Sequence, residues 1–142
     1  MTVRGLVRDG APYFHVWIRT ASVRGAVWLL ADTGAPRTTL LETGAESLHI
    51  PPDNLEPAPS PMVGIGGVTR CSILRNAEIR LQSDEGDWSV LHDLLVTQHN
   101  LLTFWPAVRA RVLNLPSILG RDIIDRFRFV YEHAAGVVLL ER

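Results

Sequence analysis

The feature that most constrains this chain is the run GAVWLLAD, residues 25 to 32, in which apolar side chains follow one another without a break and end on a carboxylate. A strand covered on both faces reads this way, whereas a strand with one wet face alternates. Asp32 is followed by a Thr-Gly pair and a second short β-prone run, TTLL at 38–41. Taken alone, the triplet is satisfied by a turn in which Asp32 caps backbone amides. Other features must decide between such a turn and a chemical site.

The first third of the chain reads as strands. In YFHVWIRT (13–20), Phe14, Val16 and Ile18 alternate with Tyr13, His15, Trp17 and Arg19, the period-two pattern of a strand with one buried face. ASVRG (21–25) is a plausible hairpin connection to the apolar run. ETGAESLHI, after TTLL, allows a single short helical turn. PPDNLEPAPSP (51–61) carries five prolines in eleven residues, which remove backbone donors and predict an extended surface loop. MVGIGGVTRCSIL (62–74) suggests two β arms around a glycine-rich tip. AEIRL (77–81) and VLHDLLV (90–96) are further strands with SDEGD (83–87) turning between them. Residues 98–116 carry no decisive pattern. In SILGRDIIDRF the apolar period changes, so a short helix is expected within about 118–126, starting near Gly120, and a closing hairpin over about 127–142. The expectation is one mostly-β domain spanning 1–142, with one or two short helices.

Composition narrows the function classes. Net charge is −1 with both signs interspersed, which does not resemble a nucleic-acid footprint. No segment approaches the roughly 18 apolar residues of a membrane span, and residues 1–20 lack the pattern of a signal peptide. Cys71 is the single cysteine, so no disulfide closes within the chain. A cytoplasmic location is therefore expected, with Cys71 a structural thiol. All 14 basic residues are arginine, as coding bias in a GC-rich, bacterial genome would produce. His15, His49, His92, His99 and His133 show no ligand spacing, so neither a metal nor another cofactor is expected. No G-x-S-x-G element supports Ser-His-Asp chemistry. The tryptophans at 17, 28, 88 and 105 are scattered and read best as core or pocket lining.

Two glycine elements change the reading of Asp32. VGIGGV (63–68) places three glycines within four residues at a hairpin tip, where glycine permits positive φ and close approach to a ligand backbone. SILGRD (117–122) supplies two apolar residues and a glycine ahead of the short helix. An apolar strand ending in Asp-Thr-Gly-Ala, then Gly-Ile-Gly-Gly, then Ile-Leu-Gly-Arg resembles the retropepsin-like aspartic proteases, single-lobe enzymes of retroviruses with bacterial and cellular relatives. The resemblance covers roughly residues 12–133. It implies an all-β acid-protease fold, a closed barrel-like lobe with a short C-terminal helix.

The resemblance also implies a chemistry. Peptide hydrolysis of this class uses two carboxylates close enough to share one proton, one acting as base on a water and the other as acid toward the peptide. The pair titrates as a unit. Only one Asp-Thr-Gly occurs here, so the dyad requires a C2 homodimer that brings two Asp32 side chains together. By resemblance Asp32 is the catalytic carboxylate, Thr33 hydrogen-bonds across the dimer axis, and the Gly34 amide orients the carboxylate. Ile118, Leu119 and Gly120 back the active-site loop. Val63, Gly64, Ile65, Gly66 and Gly67 belong to a flap, about 62–74, that closes over an extended polypeptide substrate, with Ala35 and Ile118 lining its groove.

The departures from the retroviral pattern are specific. Pro36 stands where those enzymes commonly carry a second Asp, which leaves Arg121 without its expected partner. Arg37 and Asp122 offer a swapped pair. The proline-rich insertion and the long segment before SILGRD fit the bacterial or cellular branch better, and the fifteen residues after Phe127, which look able to make a hairpin, differ too from retroviral chains. Whether GVVLLER pairs with a second copy or closes the monomer's own sheet stays open, as exposed strand edges invite pairing. The alternative function is a catalytically inactive peptide-binding or dimerisation module of the same fold. A maturation role within a longer precursor is a remoter one.

Overall fold

The structure, a computed structural model, describes residues 1–64, 67–97 and 105–142. Along the chain come β1 (Thr2–Arg4), β2 (Leu6–Arg8), β3 (Ala11–Arg19), β4 (Arg24–Ala31), β5 (Thr39–Leu40) and helix α1 (Glu42–Ser47). A 3-10 turn (Pro52–Asn54) precedes β6 (Leu55–Pro57), β7 (Met62–Gly64), β8 (Gly67–Thr69), β9 (Cys71–Ser83) and β10 (Gly86–Thr97). Helix α2 (Pro106–Leu113), β11 (Ile118–Leu119), helix α3 (Arg121–Ile124), β12 (Arg128–Glu132) and β13 (Val137–Glu141) complete it.

The main sheet closes on itself. Its hydrogen-bonded order is β2-β3-β4-β11-β5-β10-β9-β6, and β3 also pairs with β9. β3 reaches both neighbours because it is long: its start pairs with β2, and Trp17, Ile18 and Arg19 pair with Arg80, Ile79 and Glu78. The ring β3-β4-β11-β5-β10-β9 is a six-stranded barrel, so the fold is all-β and barrel-like. Closure removes the edges that such a sheet would otherwise expose.

The alternation read in β3 holds. Phe14, Val16 and Ile18 are buried, while His15, Trp17 and Arg19 point outward. Joining them inside are Leu29 from β4, Ile79 and Leu81 from β9, Leu94 from β10, Leu119 and Ile123. Each such side chain contributes roughly 1.5–3 kcal/mol by leaving water. The reading of β4 needs correction. Val27, Leu29 and Ala31 are buried, but Ala26, Trp28 and Leu30 are only half-covered. The covering on that face is local: the His15 ring lies 4.8 Å from Trp28 and the Arg8 guanidinium 5.7 Å above it.

Three further expectations change. The proline-rich segment is more than a loop, since Leu55, Glu56 and Pro57 pair with Leu74, Ile73 and Ser72 at the sheet edge. An edge strand tolerates Pro57 because its missing N–H faces away from the ladder. The helix expected at 118–126 is shorter, because Ile118 and Leu119 pair with Leu30 and Ala31 as a strand and only Arg121–Ile124 are helical. Trp105 is 81% exposed and is not core, whereas Trp17, also exposed, lines a surface cavity with Arg19, Arg24 and Glu78. Between β10 and β11, where no pattern was assigned, lies α2, none of whose residues is buried.

The C-terminal hairpin answers the open question about GVVLLER. A second sheet has the order β1-β13-β12, with Val3 opposite Leu140 on one side of β13 and Phe129 opposite Leu140 on the other. β13 is therefore the central strand of its own chain's sheet. Among the described residues no helix is long and apolar enough to cross a membrane.

Candidate active site

Asp32 follows directly on β4, and its position is fixed by the strand beside it. β11 runs parallel to β4, so Ser117 O accepts from Leu30 N–H and Leu119 O from Asp32 N–H at 3.0 Å. The chain then turns back on itself. Ala35 N–H donates to Asp32 O at 3.1 Å, and Gly34 N–H donates to the Asp32 carboxylate Oδ1 at 2.8 Å. A Cβ on Gly34 would lie 3.1 Å from that oxygen, so glycine keeps the approach uncrowded. Asp32 is half-buried, and Thr33 and Gly34 are exposed. Among the described residues no cation pairs with the Asp32 carboxylate.

The segment after this turn is stitched to the start of α3. Arg121 N–H donates to Ala35 O at 2.9 Å and Asp122 N–H to Pro36 O at 3.3 Å. Gly120 N–H donates to Thr38 Oγ1 at 3.0 Å. The two backbones meet so closely that a Cβ at 120 would lie 2.4 Å from the Arg37 carbonyl carbon. Only glycine permits that contact. The buried Thr38 is then gripped by Asp122, whose carboxylate accepts from Thr38 N–H at 2.9 Å and from Thr38 Oγ1–H at 2.7 Å.

His92 completes the arrangement, with Nε2 2.7 Å from Asp122 Oδ2. An ionised carboxylate only accepts, so Nε2 carries the proton in this pair. A β-bulge explains how a strand residue reaches the helix. The β9–β10 register shifts between His92 and Leu94, and bulges re-aim side chains in this way. Asp93, the residue left out of register, accepts from Asn76 N–H and Arg75 on β9, while its carbonyl accepts from Arg37. The Asn76 amide, with Arg75 beside it, holds the Asp93 carboxyl below its ordinary range.

The swapped pair is thus corrected: Asp122 binds Thr38 and His92, and Arg37 turns to the Asp93 carbonyl. No carboxylate pairs with Arg121 among the described residues. Of the residues singled out by sequence, the structure brings Asp32, Thr33, Gly34 and Ala35 together on one turn, with Ile118 one strand away opposite Leu30. Val63, Gly64 and Gly67 lie on the β7–β8 hairpin, with Val63 opposite Val68 and Gly64 opposite Gly67. Ile65 and Gly66 lie outside the described residues. Sequence reasoning missed Thr38 and His92 as supports. The adjacent polar pair His92-Asp93 inside an apolar strand was the available sign of a bulge.

No family model and no curated protein matches the chain. Solved structures do. A retropepsin-like aspartic protease from Rickettsia conorii superposes with a TM-score of 0.58 at 17% identity, over 99% of this chain and 97% of that one. EIAV protease, solved with the inhibitor HBY-793, gives a TM-score of 0.54 at 18% identity, over 83% of this chain and 88% of that one. The chain has the retropepsin-like fold.

Proposed function

We propose that this chain is an aspartic endopeptidase whose catalytic dyad is two Asp32 carboxylates contributed by two copies of the chain. The observation that carries the proposal is the placement of Asp32. It ends a barrel strand of the retropepsin-like fold, has one oxygen tied to the Gly34 amide, and sits on a loop braced by Gly120 and Asp122. Such rigidity is what a proton-sharing pair needs, because a small displacement of either carboxylate weakens the coupling between them.

In the dimer one Asp32 is ionised and takes a proton from a water, which attacks the scissile carbonyl carbon. The other is protonated and gives its proton to the substrate as the tetrahedral intermediate forms and collapses. Thr33, exposed beside Asp32, is free to hydrogen-bond across the two-fold axis. The β7–β8 hairpin, which carries Val63, Gly64 and Gly67, acts as the flap over an extended polypeptide, and Ala35 and Ile118 contribute to the groove. A cytoplasmic location accords with the single, buried Cys71.

The test is Asp32→Asn, checked for unchanged folding by circular dichroism. Peptide-library cleavage by the parent chain that disappears in the variant supports the proposal. Undiminished cleavage refutes it. The inactive peptide-binding alternative draws on Pro36, but Arg121 N–H and Asp122 N–H brace the Ala35–Pro36 backbone without an acid at 36.

A further inference from the structure

We infer that the surface cavity on the outer face of the barrel, to which Trp17, Arg19, Arg24, Glu78, Arg80 and Asp87 contribute, binds a small aromatic carboxylate. Arg24 is the residue that calls for such a ligand. It stands directly opposite Arg19 across the β3–β4 ladder, and both residues are exposed. Like charges placed opposite each other on neighbouring strands destabilise a sheet. Arg19 is compensated, since its Nη2 lies 2.6 Å from Glu78 Oε2. Among the described residues the Arg24 guanidinium has no ion-pair or hydrogen-bond partner.

The acids of the cavity are already committed. Glu78, whose side chain is 19% exposed, also lies 3.2 Å from Arg80 Nη2, and Asp87 Oδ2 lies 3.5 Å from Arg80 Nη1. Three guanidiniums, which keep their charge at any working pH, thus face two carboxylates, and the surplus positive charge sits at Arg24. A ligand carboxylate between Arg24 and Arg19 supplies the missing anion. It accepts from the Arg24 fork and offsets the repulsion across the ladder.

Trp17 sets the class of the anion. It lies two residues before Arg19 on the same strand, so both belong to one face, and it is 44% exposed, an apolar surface beside fixed charges. A flat ring laid against the indole removes apolar area of both from water. The cavity holds about 340 Å³, at the small end of pockets for low-molecular-weight ligands, which admits a ring with a carboxylate and no folded partner. It is also remote from Asp32. Arg24 begins β4 and Asp32 follows its end, so a strand length of roughly 25 Å separates them. The site therefore stands whether or not the chain cuts peptides.

Isothermal titration of the full chain with phenylacetate tests the site. Saturable binding of one molecule per chain is expected, with acetate, which has the charge without the ring, and phenylacetamide, which has the ring without the charge, each at least about tenfold weaker. Arg24→Gln should weaken phenylacetate binding at least about tenfold and Trp17→Ala at least about threefold, while Arg128→Gln, outside the cavity, leaves it unchanged. Because Arg24→Gln also removes the like-charge pair, the unliganded variant should melt no lower than the parent. Arg24→Gln carries the test by itself if Trp17→Ala fails to fold. A parent chain that shows no saturable phenylacetate binding overturns the proposal, as does an Arg24→Gln protein that binds like the parent. An Arg24→Gln protein that melts well below the parent shows Arg24 to be held by its own chain and overturns it too. Acetate or inorganic phosphate bound as tightly as phenylacetate overturns the assignment to an aromatic carboxylate.

Discussion

His92 and Asp122, thirty residues apart in sequence, lie 2.7 Å from each other and join a barrel strand to the helix behind the Asp32 loop. The carboxylate also accepts both the amide and the hydroxyl of Thr38. A bulge on β10, the start of α3 and the segment after Asp32 thereby become one unit.

Removing the carboxylate at that junction should be costly. Asp122→Ala leaves the buried Thr38 amide and hydroxyl without their acceptor, a loss of about 1–3 kcal/mol. Urea denaturation should show it as a lower midpoint at unchanged slope. Asp122→Asn keeps one acceptor oxygen, so its loss should be smaller. An Asp122→Ala protein as stable as the parent would mean the junction carries no load.

Gly120 is the least replaceable glycine of the site. In Gly120→Ala the new Cβ would fall 2.4 Å from the Arg37 carbonyl carbon, a backbone atom that cannot swing aside. The expected result is a displaced Asp32 loop. Destabilisation by about 1–3 kcal/mol should appear in thermal melting, together with loss of peptidase activity.

Acid sensitivity has a definite sign at Asp93. Its folded pKa lies below the ordinary carboxylate value because of the Asn76 amide and then Arg75. Such a group adds stability above the unfolded value of about 3.9, and that contribution fades as pH falls through the lower folded value. Asp93→Asn should therefore be less stable than the parent at neutral pH. The difference between them should shrink below about pH 4 when melting temperatures are compared across pH. A difference that grows on acidification would contradict the assignment.

The core is expected to respond in the usual way for a fully buried side chain. Leu29, on β4 opposite Phe14 of β3, is completely inaccessible. Leu29→Ala should cost about 2–5 kcal/mol in denaturant unfolding.

Much of this architecture could be read from residue order, because periodicity reports burial directly. Phe14, Val16 and Ile18 alternate in the sequence and are buried in the structure. The Asp-Thr-Gly turn and the Ile-Leu-Gly element are likewise local, so their meeting could be anticipated by resemblance. What was misread depends on contacts between distant segments. Trp28 belongs to a continuous apolar run, yet its outer face is screened by His15 and Arg8 rather than by another layer. Ile118 looked like the first turn of a helix, but Leu30 and Thr39 flank it and make it a strand. Arg37 and Asp122 have the right charges to pair. The bulge at Asp93 gives each a different partner, and a bulge leaves only a faint trace in sequence.

The shared dyad is tested most directly by the specific activity of the chain across a dilution series, with an unbiased peptide library as substrate between pH 4 and 7 and sedimentation equilibrium at each concentration. Cleavage per chain that falls in step with dimer dissociation is the predicted result. Cleavage that persists undiminished in a monomeric chain would contradict an active site built from two copies of Asp32.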